Sequence, residues 1–124
     1  MMSGRKILIA DDDPAIVDVL QLILELEGYD VTHTYTGDIL LNLIDDIPDL
    51  ILLDINLGKY DGRNLCQALK HAPETKDIPV LMISANYNIG TSAKDSGADD
   101  FVAKPFDMDV LLNKVAGLLS RHAA

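Results

Sequence analysis

Ile7-Leu8-Ile9-Ala10-Asp11-Asp12-Asp13-Pro14 is the stretch on which the fold turns. Ile7 to Ala10 is an apolar run too short for a helix and rich in large or β-branched side chains, the pattern of a buried strand. Asp13 followed by Pro14 is a helix start. The aspartate side chain accepts hydrogen bonds from the open N–H groups of the first turn, and the fixed φ of proline suits the first helical position. Between strand and helix stand Asp11 and Asp12, where the apolar pattern requires no charge.

The same arrangement recurs outward along the chain. Leu50 to Leu53 runs into Asp54, Val80 to Ile83 into Ser84, and Phe101 to Ala103 into Lys104. A further segment, Val31 to Tyr35, alternates instead, with Val31, His33 and Tyr35 on one face and Thr32 and Thr34 on the other, as a half-exposed edge strand does. Helical periodicity fills the intervals. The first helix has a stripe through Ile16, Leu20 and Ile23 and Gly28 as terminator. Weaker helices are predicted over Asp38 to Asp46 and Arg63 to His71, and the poorest over Asn88 to Ser96, where Gly90, Thr91 and Ser92 disfavour one. The last helix is predicted from Asp107 as N-cap, with Met108, Leu111, Leu112, Val115, Leu118 and Leu119 on one stripe. Five strands alternating with five helices predict an α/β fold, a (βα)5 parallel sheet with helices on both faces, since right-handed crossovers leave few other topologies.

Composition bounds the reading. A chain of 124 residues, 48% hydrophobic and 24% charged, suits one compact domain over 1–124. No apolar run reaches the roughly 20 residues a membrane helix needs, and Met1 to Lys6 lacks the core of a signal peptide, so a cytoplasmic location without membrane insertion is expected. A net charge of −10, with 10 Lys and Arg against 20 Asp and Glu, argues against direct nucleic acid binding. Cys66 is the single cysteine and is expected in the core; His33, His71 and His122 have no ligand spacing.

In open α/β sheets ligands bind at the carboxyl ends of the strands, so Asp11, Asp12, Asp54, Ser84 and Lys104 are expected to converge although distant in sequence. Clustered carboxylates repel one another and call for a cation. Oxygen ligands without His or Cys favour a hard ion, with Mg²⁺ (or Mn²⁺) the expected cofactor. A carboxylate beside a metal and an ammonium suits phosphoryl transfer, with Asp54 as nucleophile and Lys104 and the Ser84 hydroxyl binding phosphoryl oxygens.

Four blocks resemble the response-regulator receiver domains of two-component systems. They are Ile-Leu-Ile-Ala-Asp-Asp-Asp-Pro from Ile7, Leu-Leu-Asp-Ile-Asn-Leu-Gly-Lys-Tyr-Asp-Gly from Leu52, Leu-Met-Ile-Ser-Ala from Leu81 and Phe-Val-Ala-Lys-Pro-Phe from Phe101. They occur in the family's order and spacing and span nearly the whole chain. The resemblance implies a flavodoxin-like sheet of strand order 2-1-3-4-5. It implies a phosphoacceptor at Asp54, metal ligands Asp11, Asp12, Asp54 and the backbone carbonyl of Asn56, a switch pair Ser84 and Phe101, and a cis peptide between Lys104 and Pro105. Its partners would be a histidine kinase or phosphotransfer protein upstream, and downstream a protein target or an output domain missing from this chain. The responsive surface would comprise the Asn88 to Ser96 segment, the Phe101 strand and the final helix. Asn56 and Asn86 stand where the family tunes the lifetime of its phosphoryl group. Gly58 stands where the family usually has proline, which suggests a looser loop after Asp54.

Other classes fit less well. A hydrolase working through an aspartyl phosphate would want an acid where Asn56 stands. A nucleotide or flavin binder would want glycines where Asp11 to Asp13 stand. Capping alone could account for Asp11 to Asp13, but not for the polar ends of the other strands. The remaining rival is a receiver-shaped interaction scaffold that is not phosphorylated.

Overall fold

The computed structural model describes residues 4–38, 40, 47–84 and 96–121. β1 (Lys6–Ala10) leads into α1 (Pro14–Leu26) and β2 (Asp30–Thr34), followed by β3 (Leu50–Asp54), the short β4 (Asn56–Leu57) and β5 (Tyr60–Asp61), α2 (Gly62–His71), β6 (Val80–Ser84), β7 (Asp100–Ala103) and α3 (Met108–Arg121). The five long strands form one parallel sheet in the order β2-β1-β3-β6-β7. Counting only these strands, that is the expected order 2-1-3-4-5, with β2 at one edge.

Strand pleating explains why β1, β3 and β6 read as unbroken apolar runs. Successive side chains point to opposite faces, and both faces are covered. Ile7, Ile9, Leu50, Leu52, Leu81 and Ile83 pack on one side with Val17, Leu20 and Leu24 of α1 and Leu111, Val115 and Leu118 of α3. Leu8, Ala10, Ile51, Leu53, Val80 and Met82 pack on the other with Leu65, Cys66 and Leu69 of α2. Burial of each such Leu or Ile contributes about 1.5–3 kcal/mol.

Helix ends follow their sequence signals. Asp13 caps α1 by accepting from the Ala15 N–H at 3.0 Å, Pro14 is the first helical residue, and Gly28 just beyond has φ +95°. Asp107 caps α3 by accepting from the N–H groups of Asp109 and Val110 at 2.8 and 3.2 Å. Gly62–His71 matches the third predicted helix to within a residue. Among the described residues no helix is long and apolar enough to cross a membrane.

Some expectations change. Met108 is 52% exposed because the first turn of α3 projects past the packed part of the helix, which begins at Leu111. On α1 the centre of the buried face is Val17, and Ile16 lies at its rim. On β2 only Val31 of the supposed inner face is buried. The His33 ring meets Gln21 at the polar margin of α1 and packs against the exposed Tyr35 ring, centroids 5.0 Å apart. Of the predicted helix over Asp38 to Asp46 only Asp38 and Leu40 are described, and of Asn88 to Ser96 only Ser96; the rest of both, with Asn86, lies outside the described residues.

The loop after Asp54 also differs. β4 and β5 pair as an antiparallel hairpin, Asn56 with Asp61 and Leu57 with Tyr60. Gly58, at the first position of the two-residue turn, has φ +61°, and among the described residues, Lys59 included, no non-glycine residue has positive φ, the pattern of a type II′ turn. Proline, fixed near −65°, does not fit there. The departure from proline thus belongs to a paired hairpin. Tyr60 ties it to Asp38 by donating its phenol hydrogen bond.

Candidate functional site

The sheet's register brings the polar strand ends together. Ala10 pairs with Leu53, so the next residues, Asp11 and Asp54, are neighbours. Asp54 pairs with Ile83, and Ser84 pairs with Ala103, which precedes Lys104. Four strand ends distant in sequence become one rim.

Asp11 is fully buried. Its Oδ1 accepts from the Asp13 N–H at 2.9 Å and its Oδ2 from Lys104 Nζ at 3.0 Å. Asp54, 3% exposed, accepts from the Asn56 N–H at 3.2 Å on Oδ1 and from Lys104 Nζ at 3.2 Å on Oδ2. Asp12 is exposed, yet one of its carboxylate oxygens and one each from Asp11 and Asp54 lie within 4.8 Å of one another. Ser84 is buried at the end of β6, and its carbonyl accepts from the Lys104 N–H at 2.8 Å. The Lys104–Pro105 peptide is cis. Phe101, on the edge strand β7, is 37% exposed.

Electrostatics follow from this crowding. Burial, and then the charge of Asp11, push the Asp54 carboxyl up to about 6 against the opposing pull of Lys104 and the Asn56 N–H. Burial works against the Lys104 ammonium, but its bonds and charge pairing with Asp11 and Asp54 outweigh that and raise it. Three ionised carboxylates against one ammonium leave two negative charges, the deficit that a divalent cation offsets. An all-oxygen donor set suits a hard ion. Asp61, also close in sequence, is otherwise engaged: it caps α2 and pairs with Arg63 at 2.6 Å, whose guanidinium holds its carboxyl below the usual range.

Gly62 escaped the sequence reading as a site residue. Its N–H donates to the Ile55 carbonyl at 2.6 Å, and a Cβ there would stand 2.2 Å from the Asp54 carbonyl oxygen and 2.8 Å from Ile55 Cα. Only glycine lets α2 start this close to the strand that carries Asp54. A glycine at the first position of a helix, a place where it weakens the helix, was the available signal.

Comparison with known proteins agrees with this geometry. The family model of the response regulator receiver domain matches residues 7–116. The DNA-binding dual master transcriptional regulator RpaA of Synechocystis sp. is 46% identical over 119 residues, covering 94% of this chain and 49% of that protein. The chain therefore spans about half the length of the curated relative it matches. Two solved structures are also similar. The signal receiver domain of a signal transduction histidine kinase from Syntrophus aciditrophicus is 35% identical with a TM-score of 0.83, over 94% of this chain and 91% of that one. The receiver domain of NtrX from Brucella abortus is 35% identical with a TM-score of 0.83, over 92% and 98%. The strand ends of this parallel sheet gather the buried Asp11 and Asp54 around one lysine, Lys104, and the fold around them is that of a receiver domain. The chain belongs to the response regulator receiver domain family of two-component systems.

Proposed function

We propose that Asp54 of this receiver accepts a phosphoryl group from a histidine kinase or phosphotransfer protein in a reaction that depends on Mg²⁺ or Mn²⁺. The observation that carries this reading is the single Lys104 ammonium shared between the buried carboxylates of Asp11 and Asp54, 3.0 and 3.2 Å away. An Asp54 carboxylate oxygen attacks phosphorus. A new P–O bond forms while the bond to the donor's leaving group breaks, and the leaving group departs with the electron pair and gains a proton from solvent.

Asp11, Asp12 and Asp54, with the Asn56 backbone carbonyl, would hold the metal. When bound, it neutralises carboxylate and phosphoryl charge. Lys104 pairs with a phosphoryl oxygen as charge builds there, and the Ser84 hydroxyl donates to another. Asp11, fixed by the Asp13 N–H, holds Lys104 in place.

Ser84 and Phe101 then act as the switch: the hydroxyl is drawn toward the phosphoryl group and the ring turns inward, altering the surface of β7 and α3. Moving such an equilibrium fully takes about 5.5 kcal/mol of differential stabilisation. Small phosphodonors serve slowly in place of the kinase, and the aspartyl phosphate hydrolyses on the domain itself. Residues 1–124 form a single receiver unit working in the cytoplasm. Its output passes to a protein target or an output domain rather than through direct contact of this chain with nucleic acid.

Incubation with Mg²⁺ and acetyl phosphate, followed by intact-mass analysis, tests the reading. Gain of one phosphoryl group by wild type, and none by Asp54→Asn or with chelator present, is the expected result. No gain, together with no binding of beryllofluoride, would favour the unphosphorylated scaffold.

A further inference from the structure

Lys114 on α3 uses its ammonium on three sides at once. It donates to Asp100 Oδ1 at 3.0 Å, donates to the Phe101 carbonyl oxygen at 3.0 Å, and stands 5.1 Å from the centroid of the Phe101 ring. Asp100 is further tied to the strand by accepting from the Phe101 N–H at 2.8 Å. The side chains of Lys114 and Asp100 are only 30% and 28% exposed, so this clamp lies against the edge strand and is partly shielded from water.

The contacts differ in what they respond to. The two hydrogen bonds end on the Asp100 carboxylate and the strand backbone, and they survive rotation of the Phe101 side chain. The cation–π contact exists only while the ring faces outward over the ammonium. A contact made in one state and lost in the other biases the equilibrium between them, whereas contacts common to both do not. We infer that Lys114 is a positioning residue that holds Phe101 in the outward, unphosphorylated arrangement and so sets the threshold for switching. This rests on the switch reading of Ser84 and Phe101 given above. It adds a residue on another element that governs how readily the ring moves.

Linkage supplies the test. If outward Phe101 opposes the phosphoryl-bound state, weakening the outward contact tightens binding of a phosphoryl analogue by the same factor. Beryllium is titrated at fixed fluoride and Mg²⁺ and followed by amide NMR, at concentrations where light scattering detects only monomer. The proteins are wild type, Lys114→Met, Phe101→Leu and the double variant, with Lys114→Gln as a second removal of the charge. Lys114→Met and Lys114→Gln each bind beryllofluoride about two- to fivefold more tightly than wild type, the range of a partly exposed cation–π contact. In the Phe101→Leu background, which has no ring face, loss of Lys114 changes nothing. An unchanged or weakened affinity on loss of Lys114, or the same change with and without the ring, overturns the inference while leaving the phosphoacceptor reading intact. Absence of binding by wild type overturns both.

Discussion

Replacing Asp54 by Asn stabilises the metal-free protein at neutral pH although it removes a hydrogen-bonded, ion-paired side chain. Burial and Asp11 raise the folded-state pKa of Asp54 from 3.8 to about 6. Between those values the folded state binds more protons than the unfolded one, so the free energy of unfolding falls as pH rises through the window and levels off above it. The shift of about two units corresponds to about 3 kcal/mol at most. The side chain of Asp54 is only 5% exposed, so solvent screening reduces that little. Asn keeps an acceptor for the Asn56 N–H and lacks the titration. Urea unfolding in chelator, at intervals from pH 4 to pH 8, measures both proteins. The variant gains about 1–3 kcal/mol over wild type at pH 8, and the difference shrinks toward pH 4. Mg²⁺ then stabilises wild type more than the variant. A variant less stable than wild type at pH 8 in chelator, or a gap independent of pH, would refute the crowded-carboxylate account.

Other consequences are more local. Gly62→Ala drives a methyl group into the Asp54 carbonyl and costs at least about 2 kcal/mol, readable as a lower urea midpoint, because the obstructing atoms are backbone. Lys104→Met leaves Asp11 and Asp54 facing each other without their shared cation. It lowers metal-free stability near pH 7 and slows phosphorylation by acetyl phosphate. The raised folded pKa of Lys104 makes its contribution fully present below the unfolded value and lost as pH rises through the folded one, so wild type and variant converge only at strongly alkaline pH. Burial pushes the Cys66 thiol up, so a disulfide-exchange reagent at pH 8 leaves native protein unmodified and reacts once urea unfolds it.

The sheet and most of the site were legible because one physical constraint wrote both. A parallel strand buried on two faces must be apolar along its length, so the polar residue that ends it stands out, as Asp54 does after Leu50 to Leu53. Strand ends in such a sheet share one rim, and convergence of Asp11, Asp54 and Lys104 followed from topology alone. The β4–β5 hairpin was not legible, since two-residue strands carry no periodicity and Gly58 signals a turn without its partner. Gly62 was hidden for a similar reason: its role is an absence of atoms beside a backbone distant in space. Met108 and Tyr35 obeyed the right period but lie past the ends of the packed layer, and a period carries no information on where packing stops. The contact of Lys114 with Phe101 joins a helix to an edge strand, and neither residue is unusual in its own segment.

The central claim is that one carboxylate, Asp54, takes the phosphoryl group. Borohydride reduction of the protein after incubation with Mg²⁺ and acetyl phosphate converts an acyl phosphate to an alcohol, which peptide mass spectrometry then locates. The account predicts homoserine at position 54 and at no other aspartate. Reduction at Asp11 or Asp12 instead, or at no position in protein that binds Mg²⁺, would contradict it.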